Sequence, residues 1–225
     1  MDIAVLDTLA KARADRLAVA LVTDIASGAQ EVVTHRYADE HALADALENG
    51  FRFDKSGVVS TDKGEFFIHI YNPALRLVII GAVHIAQAIV PMATAAGYDI
   101  TVIDPRGAFA TEDRFPGVTL HADWPDEVLP GMGLDARTGF LALTHDPKVD
   151  DPALIAALHS DCFYIGALGS RRTQASRAER LKQAGVEPSR ICGPVGLDIG
   201  ARGAPEIAIS IMAEMTRALR LGLDR

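Results

Sequence analysis

Cysteine is scarce in this chain of 225 residues: there are two, Cys162 and Cys192. No CxxC pair and no His-rich tract accompanies them. That pattern excludes a disulfide framework or a structural zinc site as the organising feature. Positive charge is also short. Lys and Arg number 22 against 30 Asp and Glu, a formal net charge of −8. Such a surface argues against non-specific binding to nucleic acid or to an anionic membrane. It leaves room for a small anionic ligand, which local donors hold whatever the net charge. Long hydrophobic runs are missing too, and none approaches the length of a bilayer span. The chain opens MDIAVLDTLAKAR, with an acid at position 2 and no basic segment leading a long apolar core. No secretory signal is expected, and the cytoplasm is the default compartment. There is no internal repeat and no low-complexity tract.

What is present is core material: 49% of residues are hydrophobic. The most informative stretch is Leu77–Asp104. A short β-branched run, Leu77-Val78-Ile79-Ile80, reads as a buried strand. Gly81 turns the chain. Ile85, Ile89 and Met92 then share one helical face, and Gly97 stops that helix. A second strand, Ile100–Ile103, ends at Asp104. Strand, glycine turn, helix, strand and carboxylate form a βαβ unit suited to a nucleotide-like ligand. The glycine fingerprint G-x-G-x-x-G/A is incomplete: its three positions hold Gly81, Val83 and Ala86. A valine side chain at the second position takes space from a pyrophosphate. Asp104 lies 23 residues after Gly81, near the roughly 20 expected for a ribose-binding acid.

The remaining chain falls into two parts. Residues 1–73 read as a small α+β module. Its expected elements are a helix over 2–15, a hairpin of 17–23 with 31–36, a helix over 39–48 ending at Asn49-Gly50, and a second hairpin of 51–59 with 65–71. Residues 74–225 read as a Rossmann-like α/β domain with a parallel sheet and a C-terminal helix. Further strands are expected at 117–121, 139–143 and 162–168, with a short sixth at Ile191-Cys192. Helices are expected at 151–159, with Pro152 in the first turn, at 172–183, and from Pro205 through Leu219. Right-handed crossovers make 3-2-1-4-5 the simplest strand order.

Ligands of such sheets bind outside the carboxyl ends of the strands. That rule gathers Gly81–His84, Asp104–Arg106, Thr144–Asp146, Gly166–Arg172 and the loop around Asp198 on one rim. Gly169-Ser170-Arg171-Arg172 opens a helix, where unpaired N–H groups and the dipole favour an anion. Two arginines there are unfavourable for an empty helix, or they are simply solvated surface charges. Asp104 can accept from a ribose hydroxyl while Arg106 meets an extra phosphate, or the pair can be an Asp-Pro turn. His84 can donate to a phosphate or pterin oxygen, or stand exposed on a helix turn. Thr144 and His145 can position a substrate. One His and one Asp are too few for a metal site. Cys162 sits on an expected buried strand as an inert thiol. No Ser/His/Asp triad, paired carboxylates or P-loop stands out.

Read together, these loops resemble the XdhC/CoxI family of xanthine dehydrogenase and carbon monoxide dehydrogenase accessory factors. The resemblance runs from about Leu77 to Leu219. It rests on Gly81-Ala82-Val83-His84, on Leu143-Thr144-His145-Asp146 with Asp151-Pro152-Ala153-Leu154, on Tyr164-Ile165-Gly166-Ala167-Leu168-Gly169-Ser170-Arg171-Arg172, and on Pro194-Val195-Gly196-Leu197-Asp198-Ile199-Gly200-Ala201 followed by Pro205–Ile211. It implies a cytoplasmic carrier more than a catalyst. Such a protein binds molybdenum cofactor, as molybdopterin or its dinucleotide form, protects it during sulfuration, and delivers it to a molybdenum hydroxylase apoenzyme. The implied partners are that apoenzyme, a sulfurtransferase and a second copy of the chain. The implied cofactor contacts are Gly81, His84, Asp104, Arg106, Thr144, His145, Gly166, Gly169, Ser170, Arg171, Arg172 and Asp198. The family's Gly-Ser-x-Pro-Arg loop and Gly-Gly-x-x-Glu element are absent from the N-terminal part, which is shortened around Ala26-Ser27-Gly28.

Two other readings stand beside this one. An NAD(P)-dependent oxidoreductase would use the βαβ unit, Asp104 and Arg106, with His145 as proton donor. A nucleotide-sensing scaffold would dock its partner enzyme through the N-terminal module. The stripe Ile207, Ile211, Met215 and Leu219 on the last helix is either core or a dimer face.

Overall fold

Along the strand Arg76–Ile80 (β5) the side chains alternate between two cores, as a strand's period of two requires. Leu77 and Ile79 pack with residues of the helices His84–Ala95 (α3) and Ala204–Leu221 (α7). Val78 and Ile80 pack with residues of the helix Pro147–Leu158 (α5). Burial on both sides explains why this strand is uniformly apolar rather than alternating. These contacts come from a computed structural model that describes residues 3–222.

The chain divides between Pro73 and Ala74 into two units. In the first, helix α1 (Ile3–Ala14) precedes the strands Val19–Asp24 (β1) and Gln30–Thr34 (β2). Helix α2 (Ala44–Phe53) leads to Gly57–Thr61 (β3) and Gly64–Tyr71 (β4). The four strands form an antiparallel sheet in the order β2-β1-β4-β3. Asp2, part of the expected first helix, lies outside the described residues.

Helix α2 departs from the sequence expectation. It starts later and runs through Asn49-Gly50 to Phe53, so residues 51–53 are helical rather than strand. Gly50 is there for space. A Cβ at that position would come within 2.8 Å of the Ile70 side chain and 3.2 Å of the Lys55 carbonyl. The helix therefore lies close on β4, burying Leu47 and Phe51 against Ala20, Val22 and Ile68.

In the second unit, β5, Asp99–Ile103 (β6), Thr119–His121 (β7), Thr138–Ala142 (β8), Tyr164–Ala167 (β9) and Ile191–Cys192 (β10) form a parallel sheet. Its order is β10-β9-β8-β5-β6-β7. Counted from β5 this is 3-2-1-4-5-6, the expected Rossmann-like order with the sixth strand at the edge. A short helix α4 (Pro125–Val128) lies between β7 and β8, and helix α6 (Arg171–Gln183) follows β9. Helix α5 starts four residues before the expected position. Asp146 caps it by accepting from the Lys148 amide at 2.9 Å, and Pro147 occupies the first turn. Pro152 lies inside the helix, not at its start. On α7, Ile211 and Met215 are fully buried in the sheet core, so the apolar stripe is core rather than a dimer face. Among the described residues no helix is long and apolar enough to cross a membrane.

Candidate functional site

Parallel pairing puts all six carboxyl ends on one edge. Ile80 is level with Ile103 and Ala142, Ala142 with Ala167, and Gly166 with Cys192. The strand order reverses between β5 and β8, so the loops after these strands meet at the switch point. Gly81 has φ +110°, and a Cβ there would stand 2.8 Å from the Thr144 methyl. Both the backbone angle and the close approach to Thr144 require glycine.

Helix α3 opens from that turn at an extended Val83 that offers no side-chain cap. Its first amides therefore have no acceptor from a capping side chain. The Val83 side chain packs against the hydrophobic core. His84, the first residue of the helix, is exposed.

Asp104 is fully buried, and its carboxylate is saturated by its own chain. One oxygen accepts from the Ala82 amide and Arg106 Nη2, both at 2.8 Å. The other accepts from the Arg106 amide at 3.0 Å and Arg106 Nε at 2.9 Å. Burial raises this carboxyl. The hydrogen bonds from Arg106 and Ala82 outweigh that effect and hold it below the usual carboxylate range. The ribose acceptor expected from the sequence has no open position here. Asp104 instead braces the glycine turn and folds Arg106 back. The Arg106 guanidinium, 45% exposed, lies over the Phe109 ring at 4.9 Å, and that of Arg114 at 5.6 Å.

Across the switch point, Thr144-His145 is held by a residue that sequence reasoning missed. Asp150, fully buried, accepts from Thr144 Oγ1 at 2.7 Å, the Thr144 amide at 3.3 Å and the His145 amide at 3.1 Å. His145 takes a left-handed backbone, φ +64°. Asp150 also pairs with Arg177 at 3.4 Å. Burial raises the Asp150 carboxyl against the pull of Thr144 and Arg177. Arg177 further donates to Gln174 Oε1 at 2.6 Å and to the Leu168 carbonyl at 3.1 Å. Gln174 in turn donates to the Ala167 carbonyl at 2.8 Å. This network ties the loop after β8 to the loop after β9. The Asp146-Pro147 cap was the available signal, since it puts Asp150 on the first turn of α5. Nothing in the sequence marks Arg177 within the helix expected at 172–183.

The remaining expected residues separate. Ser170 caps α6, accepting from the Thr173 amide at 3.2 Å. Gly169 precedes it, and Arg171 and Arg172 are exposed in the first turn. Gly166 is different. It is buried inside β9, where a Cβ would come within 2.6 Å of Val195 and 2.8 Å of Tyr164. Its glycine is demanded by packing, not by ligand approach. Asp198 is exposed on a loop strapped to α7. Glu214 accepts from the Gly196 amide at 2.8 Å and from Tyr164 Oη at 2.5 Å, and Ser210 donates to the Leu197 carbonyl at 2.6 Å. Cys162 lies two residues before β9 rather than on it, yet it is buried, and that burial pushes its thiol up. Among the described residues no group of three His, Cys, Asp or Glu side chains could hold a metal ion.

An open parallel sheet with this order and a glycine turn at its switch point defines a Rossmann-type domain. The chain belongs to the XdhC family: the XdhC Rossmann domain profile matches residues 77–215. It is 32% identical over 150 residues to a probable xanthine dehydrogenase subunit of Bacillus subtilis, covering 66% of this chain and 44% of that protein. It is 33% identical over 148 residues to the molybdenum cofactor insertion chaperone PaoD of Escherichia coli, covering 64% of this chain and 40% of that one. The chain thus spans less than half the length of these curated relatives. The crystal structure of a xanthine dehydrogenase from Bacillus halodurans superposes with a TM-score of 0.72 at 25% identity, covering 96% of this chain and 67% of that chain.

Proposed function

We propose that this chain binds molybdenum cofactor and delivers it to the apoenzyme of a molybdenum hydroxylase of the xanthine or carbon monoxide dehydrogenase type. The observation that carries the reading is the switch point: an uncapped α3 N-terminus beside a Thr144-His145 loop pinned by a buried carboxylate. The α3 N-terminus supplies amides without a side-chain cap for an anionic ligand, and the bonds to Asp150 fix the backbone that carries the His145 side chain beside it. When bound, the cofactor brings the molybdenum that the client enzyme uses. The chain's own task is to hold and release it. Gly81, His84, Thr144 and His145 are the proposed central contacts. Arg106 flanks them on one side. Gly169, Ser170, Arg171, Arg172 and Asp198 flank them on the other. Asp104 serves through Ala82 and Arg106. The cytoplasm, a sulfurtransferase partner and a homodimer complete the proposal on the strength of the family.

The NAD(P) reading has less support, because the acid it needs for the ribose is spent on Arg106 and Ala82. The test is equilibrium binding of molybdopterin and of NADPH to the purified protein, side by side, followed by transfer to an apo-hydroxylase. Micromolar cofactor binding is expected, with His84→Ala weakening it by about tenfold through loss of one charge-assisted contact. NADPH binding without cofactor binding would replace the carrier with an oxidoreductase or sensor.

A further inference from the structure

The start of α5 and one face of α6 line a cavity of about 250 Å³. Arg172, Ser176, Arg177 and Arg180 line it from α6, and His145 and Pro147 from the loop and first turn before α5. Residues 172, 176 and 180 stand one helical turn apart, so their side chains share a face. Arg171, which looks equivalent to Arg172 in the sequence, is not among the lining residues. Two of the three guanidinium groups have acidic partners. Asp151 accepts from Arg180 at 2.6 and 3.0 Å, and Asp150 from Arg177 at 3.4 Å. Arg172 has no acidic partner among the described residues, so the lining carries an excess of positive charge.

A second observation points the same way. Arg177 is only 2% exposed, yet its Nε has no hydrogen-bond partner in the protein. Its Nη atoms are engaged by Gln174, Leu168 and Asp150. A buried guanidinium with a donor left over is unusual in a folded protein; this atom is closed to solvent, so it meets an acceptor in the adjoining cavity only when the Arg177 side chain shifts toward it. Arginine clusters of this kind suit phosphate, whose several oxygens accept from planar guanidinium groups. The volume is below the roughly 300 Å³ at which pockets begin to hold a whole drug-sized ligand. It is suited to one group of a larger molecule.

We propose that this cavity binds a phosphate group, and that the group is the phosphate monoester of the carried pterin cofactor. The identity of the ligand rests on the carrier reading; the anion site itself rests on Arg172, Arg177 and the cavity. On this assignment the phosphate sits between α5 and α6, not at the glycine turn after β5 where a dinucleotide pyrophosphate would lie.

The test is calorimetric titration of the full chain with inorganic phosphate at fixed ionic strength, repeated with molybdopterin. Saturable phosphate binding is expected. Arg172→Ala should weaken it by about tenfold, the loss of one charge-assisted contact. Lys182→Ala removes the same charge from an exposed position in the last turn of α6 and should leave it unchanged. Arg172 is exposed, so its variant keeps the buried Asp150–Arg177 pair, and circular dichroism checks the fold. Absence of saturable phosphate binding, or equal loss in both variants, overturns the site. Phosphate binding that depends on Arg172, beside molybdopterin binding that does not, overturns the assignment to the cofactor. Phosphate binding with no molybdopterin binding keeps the anion site and rejects the carrier reading.

Discussion

A carboxylate whose acceptor positions are all taken, as in Asp104, acts on its own chain before it acts on a ligand. Its strand-end position was legible from the spacing after Gly81. Its partners were not, because nothing in the local sequence says that Arg106 folds back rather than reaching outward. The consequence is measurable in the free protein. Asp104→Asn should destabilise it by about 1–3 kcal/mol at pH 7, the usual effect of disrupting a buried hydrogen-bonded group. The folded carboxyl lies below its ordinary value, so its contribution is complete above the unfolded value of about 4 and is lost as pH falls through the lowered folded value. Urea unfolding at pH 7 and pH 3 should therefore show a gap between wild type and variant that narrows at the acid end. A gap independent of pH would mean that shape, not charge, is what Asp104 supplies. Asp150 was invisible for a related reason: its importance lies in three groups it accepts from in the loop before its helix, a contact that spacing alone does not reveal.

Elements were legible where periodicity was strong and obscure where a cap or a close approach decided. The strand–turn–helix–strand from Leu77 to Asp104 was clear because apolar runs, Gly81 and Gly97 all agree. The start of α5 was misplaced because Pro152 imitates a helix start, while the true start is the Asp146 cap with Pro147 behind it. The end of α2 was misplaced because Asn-Gly normally breaks a helix, whereas Gly50 here lets the helix lie against Ile70. Gly166 belongs to the same class of error, a packing glycine taken for a ligand glycine. Gly166→Ala should destabilise the ligand-free protein by about 1–3 kcal/mol through overpacking against Val195, Tyr164 and Leu141. Thermal unfolding without any ligand measures it. An unchanged midpoint would return Gly166 to the rim as a contact residue.

For the molecule as a whole, a ligand that binds the native state and not the unfolded chain raises stability by mass action. Molybdopterin at a hundredfold excess over its Kd should add about 2.7 kcal/mol. In a chain of this size that is a rise of about 5–11 °C in the unfolding midpoint, at about 2–4 °C per kcal/mol. Differential scanning calorimetry reads it, and no shift at saturating cofactor would contradict a carrier. At this scale local pattern sufficed for the α/β class, the parallel order around β5, the rim formed by the strands' carboxyl ends and the family resemblance. All of these follow from local periodicity, from motifs along the chain and from the handedness of crossovers. The tertiary structure alone decided which rim residues are free. It closed Asp104 onto Arg106, buried Gly166 beneath Val195, sent the α7 stripe into the core, and brought Arg177 and Arg180 beside His145 and Arg172. All but the first of those outcomes depend on contacts between residues distant in the chain, and even for Asp104 and Arg106, two residues apart, a hydrogen bond is set by position in space, which spacing along one strand or helix does not specify.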